Sequence, residues 1–379
     1  MTSSWSEWLT AQAAAREAAG LTRTLRPRAS QDTVIDLAGN DYLGFARHPA
    51  VRGAAAAAAE EWGGGAGASR LVTGTLALHA ELELALARLM RQPAALVFST
   101  GYHANLGVVT ALADRDTRVI SDAHVHASLI DATRLSRAVI EVVPHNDVEA
   151  VTSRLAALTS QPSAPRTLVL AESIYSVLGD AAPLRELAAA CEEYGALLVV
   201  DEAHGLGVHG PGLVARLGLA GQEHVVVAAT LSKALGSQGG AVLGSPALIE
   251  HLVNRARPFI FDTGLAPAAA AAALAATQLI EAHPELPALI RRRVDELAGL
   301  LGVPAPDGAV LSVPMPSPQA AVEAAAACAE QGVRVGCFRP PSVPDGMSRL
   351  RVTCSAGVGD DDWARATQVL LEITKGAAR

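Results

Sequence analysis

Ala196-Leu197-Leu198-Val199-Val200-Asp201-Glu202-Ala203-His204-Gly205 and, one crossover later, Val225-Val226-Val227-Ala228-Ala229-Thr230-Leu231-Ser232-Lys233 decide how this chain folds. Each is a short, unbroken apolar run that ends on polar side chains capable of chemistry. Unbroken runs, as opposed to alternating ones, mark strands covered on both faces, the habit of parallel sheets. Ahead of the first run lies a helical pattern, Pro183–Tyr194, with Pro suited to its first turn and Gly195 just past its end. The same alternation continues in both directions. Strands are expected at Ala95–Phe98, Arg118–Ser121, Val139–Val143, Thr167–Glu172, Ala196–Asp201, Val225–Thr230 and Gly240–Gly244, with helices at His79–Arg91 and Asp147–Leu158 among them. The expectation is an α/β fold built on a mostly parallel seven-stranded sheet between helices.

After Pro267 the pattern changes. Two helical stretches, Ala268–Ala282 and Pro284–Leu301, lead through a Pro-rich loop to strand Ala309–Val313 and helix Pro318–Gln331. Strands Val333–Phe338 and Arg349–Thr353 and helix Asp361–Ile373 then complete a smaller unit. The expected organisation is an N-terminal arm, 1–40, a large domain, 41–266, and a small C-terminal α/β domain, 267–379. Trp5, Trp8 and Leu9 suit the arm to packing on the body or on a partner subunit.

Composition removes several functions. With 38 acidic and 30 basic residues the net charge is -8, which argues against nucleic-acid binding through clustered phosphate contacts. The most apolar segment, Leu265–Ile280, is Ala-rich and interrupted by Pro267, Thr277 and Gln278, short of the ~20 strongly apolar residues a membrane span needs. No basic segment precedes an apolar one at the N-terminus, so a secretory signal is not expected. Cys191, Cys328, Cys337 and Cys354 are far apart and form no CxxC pair, so neither a disulfide framework nor a zinc site is expected. A cytoplasmic protein without a metal is the expectation.

Of the 30 basic residues only Lys233 and Lys375 are lysines. An amine can form a Schiff base with a carbonyl, and a guanidinium effectively cannot. Lys375 lies in the C-terminal tail, where a solvated charge is the ordinary reading. Lys233 follows a strand directly. It is either a chance lysine at a strand end or a nucleophile, and its surroundings decide which.

Those surroundings are chemical. Asp201 ends a strand, where it serves either ligand chemistry at the sheet edge or as a helix cap. Asp201-Glu202-Ala203-His204 also evokes a helicase-type ATPase, but the chain has no GxxxxGK[ST] phosphate loop to support one. Ser99-Thr100-Gly101-Tyr102-His103 lies at a strand-to-helix junction whose free amides suit a phosphate. His124 and His126 follow another strand, and each is either a structural histidine or one that stacks or moves a proton. The Gly-rich stretch Gly63 to Ser69 lacks the strand-turn-helix setting of a dinucleotide site and is either a connector or an active-site turn. Read together, a lysine, a carboxylate, a histidine and phosphate donors converge at strand carboxyl ends. Pyridoxal 5'-phosphate (PLP) demands that set.

Several segments carry a likeness to known proteins: Asn40-Asp41-Tyr42-Leu43-Gly44, His126-Ala127-Ser128-Leu129, His145-Asn146-Asp147, Glu172 through Asp180, Asp201 through Gly205, the Lys233 stretch and Arg349-Leu350-Arg351-Val352-Thr353. In these the chain resembles the α-oxoamine synthases of the fold-type I PLP superfamily, over nearly its whole length. The resemblance implies that Lys233 carries PLP as a Schiff base and then moves the substrate's α-proton. Asp201 would pair with the pyridinium nitrogen, His204 and Ser176 would contact the phenolic oxygen, and His126 would stack on the ring. Thr230 and the amides of Gly101 and Tyr102 would bind the phosphate. Thr263, in a Phe261-Asp262-Thr263-Gly264 stretch that departs from the family's hydroxyl-rich segment, would reach the neighbouring subunit's phosphate in a homodimer. Arg351 would hold the amino-acid carboxylate, with Asn40 and Arg23 near the substrate.

The reaction so implied is a PLP-dependent, decarboxylative condensation of L-alanine with pimeloyl-CoA or a pimeloyl-carrier protein. It yields 8-amino-7-oxononanoate for biotin biosynthesis, carbon dioxide and the free thiol. Arg339-Pro340-Pro341-Ser342-Val343-Pro344 resembles this biotin-pathway branch, and is otherwise a rigid connector. A related transferase joining glycine and acetyl-CoA is the alternative within the family. A non-catalytic PLP-binding regulator is a further one, although the chain has no spare length for a DNA-binding module.

Overall fold

The computed structural model describes residues 4–19, 21–23, 25, 27–160, 163, 165–340, 343 and 345–377. By its contacts the chain divides into two units, 1–34 and 35–379. In the first, the helix Ser4–Ala18 buries none of its residues. Trp5 and Trp8 meet edge to face there, with ring centroids 5.7 Å apart.

The second unit holds two sheets. The larger contains β2 (Ala94–Phe98), β3 (Thr117–Asp122), β4 (Val139–Val143), β5 (Arg166–Glu172), β6 (Leu197–Asp201), β7 (Val225–Thr230) and β8 (Gly240–Gly244), numbered after β1 (Ile35–Leu37) of the smaller sheet. Its order is β2-β8-β7-β6-β5-β3-β4, parallel throughout except for β8, which runs against both its neighbours. All seven expected strands form. The unbroken apolar runs are explained by two separate cores. Val169, Ala171, Leu198, Val200, Val225 and Val227 point into one, and Leu168, Leu170, Val199 and Val226 into the other. Successive side chains of a strand face opposite ways, so a sheet covered on both faces needs an apolar residue at every position.

The smaller sheet contains β1, β9 (Val310–Pro314), β10 (Val333–Phe338) and β11 (Arg349–Thr353), in the order β1-β10-β11-β9. Three of these strands were expected. The fourth, β1, pairs in parallel with β10 and so brings residues read as part of the arm into this sheet. Ile-Asp-Leu is too short a run to show a periodicity.

What matters for function is the register of the large sheet. Glu172 pairs with Asp201, and Asp201 with Ala228, so β5 and β6 end level and β7 runs two residues further, to Thr230. Their carboxyl ends form one edge, the usual ligand edge of a parallel sheet.

Candidate active site

At that edge lies a cavity of about 260 Å³ whose lining includes Gly101, Tyr102, Asn105, His126, Glu172, Asp201, His204, Thr230 and Lys233. Seven of the sequence-predicted residues therefore meet in one place. Each is delivered by the end of a strand or the start of a helix.

The helix Gly101–Leu112 starts directly after β2, with Thr100 as its N-cap accepting from the His103 amide at 3.0 Å. The first amides of a helix have no partner inside it, and they carry the positive end of its dipole. Gly101 and Tyr102 hold those positions. A Cβ on Gly101 would come within 2.9 Å of Thr230 Cβ, and one on Gly240 within 2.6 Å of the Gly101 backbone. Bare backbone therefore lets the helix start come down against the end of β7. The Thr230 and Ser232 hydroxyls, 2.7 Å apart, stand beside it.

Asp201 is held from two sides. Its Oδ2 accepts from Asn105 Nδ2 at 2.7 Å and its Oδ1 from the Ala203 amide at 2.8 Å. The helix-cap alternative is thereby corrected: no helix starts here, residues 203–206 are a turn, and Asp201 caps that turn while still lining the cavity. His126 is likewise both structural and cavity-lining. Its Nδ1 accepts from the Ser128 amide at 3.2 Å as N-cap of the helix Ala127–Ser136. Burial holds it below the usual histidine range.

Lys233 Nζ lies 2.8 Å from His204 Nε2, and His204 Nδ1 lies 2.5 Å from the Tyr42 hydroxyl. Tyr42 donates in turn to Asn40 Oδ1 at 3.1 Å, and Arg351 Nη2 donates to the same oxygen at 3.0 Å. Burial, and then the Lys233 and Arg351 charges, hold His204 far below its ordinary value, so it is a neutral imidazole. Burial also brings the Lys233 amine down to about 8 against the opposing pull of Asp201 and Glu172. Glu172 is fully buried, and burial together with the Asp201 charge raises it well above the carboxylate range. The cavity therefore presents the Asp201 side chain held by two donors, a Glu172 carboxyl raised by burial, and an amine close to losing its proton.

The remaining predicted residues lie off the cavity. Arg351 and Asn40 reach it through Tyr42 and His204. Ser176 does not line it, and contributes its backbone carbonyl to Arg351 Nε at 2.9 Å. Thr263 is exposed, in a bridge with Ser69. Arg23 belongs to the N-terminal unit. No residue of the Gly63–Ser69 stretch lines the cavity, and Ser69 bridges to Thr263. In the Pro-rich segment expected to mark the biotin branch, Pro341, Ser342 and Pro344 lie outside the described residues.

Sequence reading missed Asn105, Tyr42 and Glu172 as site residues. Asn105 lies one helical turn beyond Gly101 and so on its face, which is a legible signal. Tyr42 and Glu172 stand inside quoted segments, and their roles come from the distant residues they touch.

Among the described residues no cluster of three or more His, Cys, Asp or Glu side chains is placed to hold a metal ion. No helix among them is long and apolar enough to cross a membrane. All four cysteines are free.

Comparison with known proteins gives a consistent picture. The family described as aminotransferase class I and II matches residues 32–370. The chain is 52% identical over 374 residues to an 8-amino-7-oxononanoate synthase of Mycolicibacterium gilvum, covering 98% of this chain and 97% of that protein. It is equally 52% identical to the synthase of the same name from Mycolicibacterium smegmatis, over 97% and 96% of the two chains. Among solved structures, a serine palmitoyltransferase from Sphingomonas wittichii superposes with a TM-score of 0.89 at 30% identity, covering 99% and 98%. The enzyme of that name from S. paucimobilis, solved with a PLP–myriocin aldimine, does so with a TM-score of 0.89 at 30% identity, covering 100% of both chains.

Proposed function

The chain belongs to the aminotransferase class I and II family, among the 8-amino-7-oxononanoate synthases, and from that membership we propose the following working of its site. The reaction joins L-alanine to a pimeloyl thioester and releases carbon dioxide and the thiol, a step of biotin biosynthesis. The cofactor is PLP. The observation that carries the reading is the convergence of Lys233, Asp201, His204 and the Gly101 helix start on one cavity.

The residues present fit that cofactor. The helix start at Gly101 and Tyr102, with its free amides, opens onto the cavity beside the Thr230 and Ser232 hydroxyls, a set of donors that suits a phosphate. Asp201, oriented by two donors, would hold a proton on the pyridine nitrogen. His126 would cover one face of the ring, and His204 would approach its phenolic oxygen. When bound, PLP supplies the electron sink that makes the amino acid's α-carbon acidic.

The protein's own part is positioning and proton traffic. Lys233, with its amine tuned to about 8, can be uncharged when it has to attack and can afterwards take a proton at Nζ from the substrate's α-carbon. His204 Nε2, 2.8 Å away, limits where that amine can swing. Arg351, fixed by Asn40 and the Ser176 carbonyl, offers its guanidinium to the alanine carboxylate. Near-attack placement of this kind supplies much of the rate in a condensation.

The same proposal includes a cytoplasmic homodimer in which exposed Thr263 reaches the partner's phosphate site, Arg23 near the substrate, and residues 41–266 and 267–379 as the large and small domains. The substrate assignment is tested by comparing two pairs of substrates. Thiol release from pimeloyl-CoA with L-alanine should be well above that from acetyl-CoA with glycine at equal concentrations. A preference for the second pair would overturn the substrate assignment.

A further inference from the structure

His145 lies outside the cavity and has no part in the chemistry described above. It follows β4 in His145-Asn146-Asp147, and both its ring nitrogens face carboxylates. Nδ1 lies 2.9 Å from Asp122 Oδ1, and Nε2 lies 2.8 Å from Asp180 Oδ2. Asn146 binds the same pair, donating its amide to Asp122 Oδ2 at 2.7 Å and its Nδ2 to Asp180 Oδ2 at 3.0 Å. The His124 ring stacks on His145 at 3.9 Å, and Tyr175 meets it edge-on at 4.4 Å.

Asp180 closes a tight loop. The Tyr175 amide donates to the Asp180 carbonyl at 2.9 Å, the Gly179 amide to the Tyr175 carbonyl at 2.9 Å, and the Ala182 amide to the Ser173 carbonyl at 3.1 Å. From this loop the Ser176 carbonyl receives Arg351 Nε. We propose that His145 is a positioning residue for the amino-acid substrate: its ring, held between Asp122 and Asp180, clamps the 173–182 loop and thereby aims Arg351. This rests on the reading of Arg351 as the carboxylate anchor.

A ring that donates from both nitrogens must be an imidazolium. Burial opposes that charge, but the bonds to Asp122 and Asp180 outweigh it and lift His145 to about 9. The charged and titratable groups packed around it are Asp122 on β3, His124 just after it, Asp180 and Tyr175 of the loop and, near His124, Asp345 with its partner Arg349. Asp147 caps the helix Val148–Thr159 through the Ala150 amide. The clamp is therefore charged at neutral pH, and its charge is lost as pH rises through about 9.

The test uses PLP-loaded enzyme and thiol release. His145→Gln should raise KM for L-alanine on the order of tenfold, while kcat and the cofactor absorbance change little. In the parent, KM should climb as pH passes about 9. In Asp180→Asn, which leaves the proton only one carboxylate, that climb should begin at lower pH. The substrate's own amine titrates alike in both proteins, so the difference between them reports the clamp even if His145→Gln folds poorly. An unchanged KM in folded His145→Gln, or identical pH profiles in the parent and Asp180→Asn, overturns the proposal. Arg351→Lys separates the two readings. If it raises KM and His145→Gln does not, only the clamp fails; if Arg351→Lys also leaves KM unchanged, the carboxylate anchor fails as well.

Discussion

Lys233 Nζ and His204 Nε2 are 2.8 Å apart, although 28 residues and a whole strand separate them in the chain. The contact ties the reactive amine to a neutral imidazole, which is in turn tied through Tyr42 and Asn40 to Arg351. The hydrogen-bond directions converge on Asn40 Oδ1, the acceptor for both Tyr42 and Arg351. On the proposed reading, cofactor side and substrate side share one line of side chains.

Lys233 is expected to bear the cofactor covalently. Lys233→Ala should abolish turnover and the visible absorbance of the PLP-loaded protein, and borohydride should fix PLP on Lys233 in the parent. Peptide mapping checks this, and label on Lys375 would contradict it.

Asp201→Asn separates the charge from the turn. Asparagine has one carbonyl oxygen to share between the Ala203 amide and Asn105, so one hydrogen bond is lost at a cost of about 1 kcal/mol. The apo protein should melt only slightly earlier. Turnover, which needs a proton kept on the ring nitrogen, should fall by at least about a hundredfold. Near-normal turnover would leave Asp201 a structural residue.

The amine's pH dependence has a definite sign. Burial disfavours the ammonium form of Lys233 and brings it down to about 8, so its uncharged fraction grows as pH rises through that value. Covalent uptake of PLP by the apo protein should accelerate along the same curve and level off above it. A midpoint at the ordinary lysine value would show that the amine is not desolvated.

Assembly is open to direct measurement. Phe261 and Thr263 are exposed at the end of the loop that Asp262 pins to Ser99 and His103. Light scattering should give twice the chain's mass, and Thr263→Ala should weaken PLP binding. A fully active monomer would rule out a site shared between subunits.

Much of this was legible in the chain itself. Val225 to Ala229 could be read as a buried strand because both faces of the sheet need apolar cover, and that demand writes itself into consecutive residues. Lys233 stood out because the chain spends arginine almost everywhere else, and Asp201 because a polar residue ends an apolar run. The element bounds of the small sheet were also visible, apart from the three residues of β1, which acquire strand character only by pairing with β10.

What the sequence by itself determined, then, is the local part: strand and helix periods, the glycine that permits a helix start beside Thr230, and the residue types able to do the chemistry. Tertiary structure alone decided what surrounds each of the two carboxyl groups at the sheet edge. Glu172 and Asp201 end adjacent strands in register, yet Asp201 accepts from the Asn105 side chain and the Ala203 amide while burial raises Glu172 well above the carboxylate range. Likewise only the fold sets Tyr42, Asn40 and Arg351 in line with His204, and His145 between Asp122 and Asp180. Hydrogen bonds and desolvation act over a few ångströms of space, and partners that are distant along the chain leave no periodic trace in it.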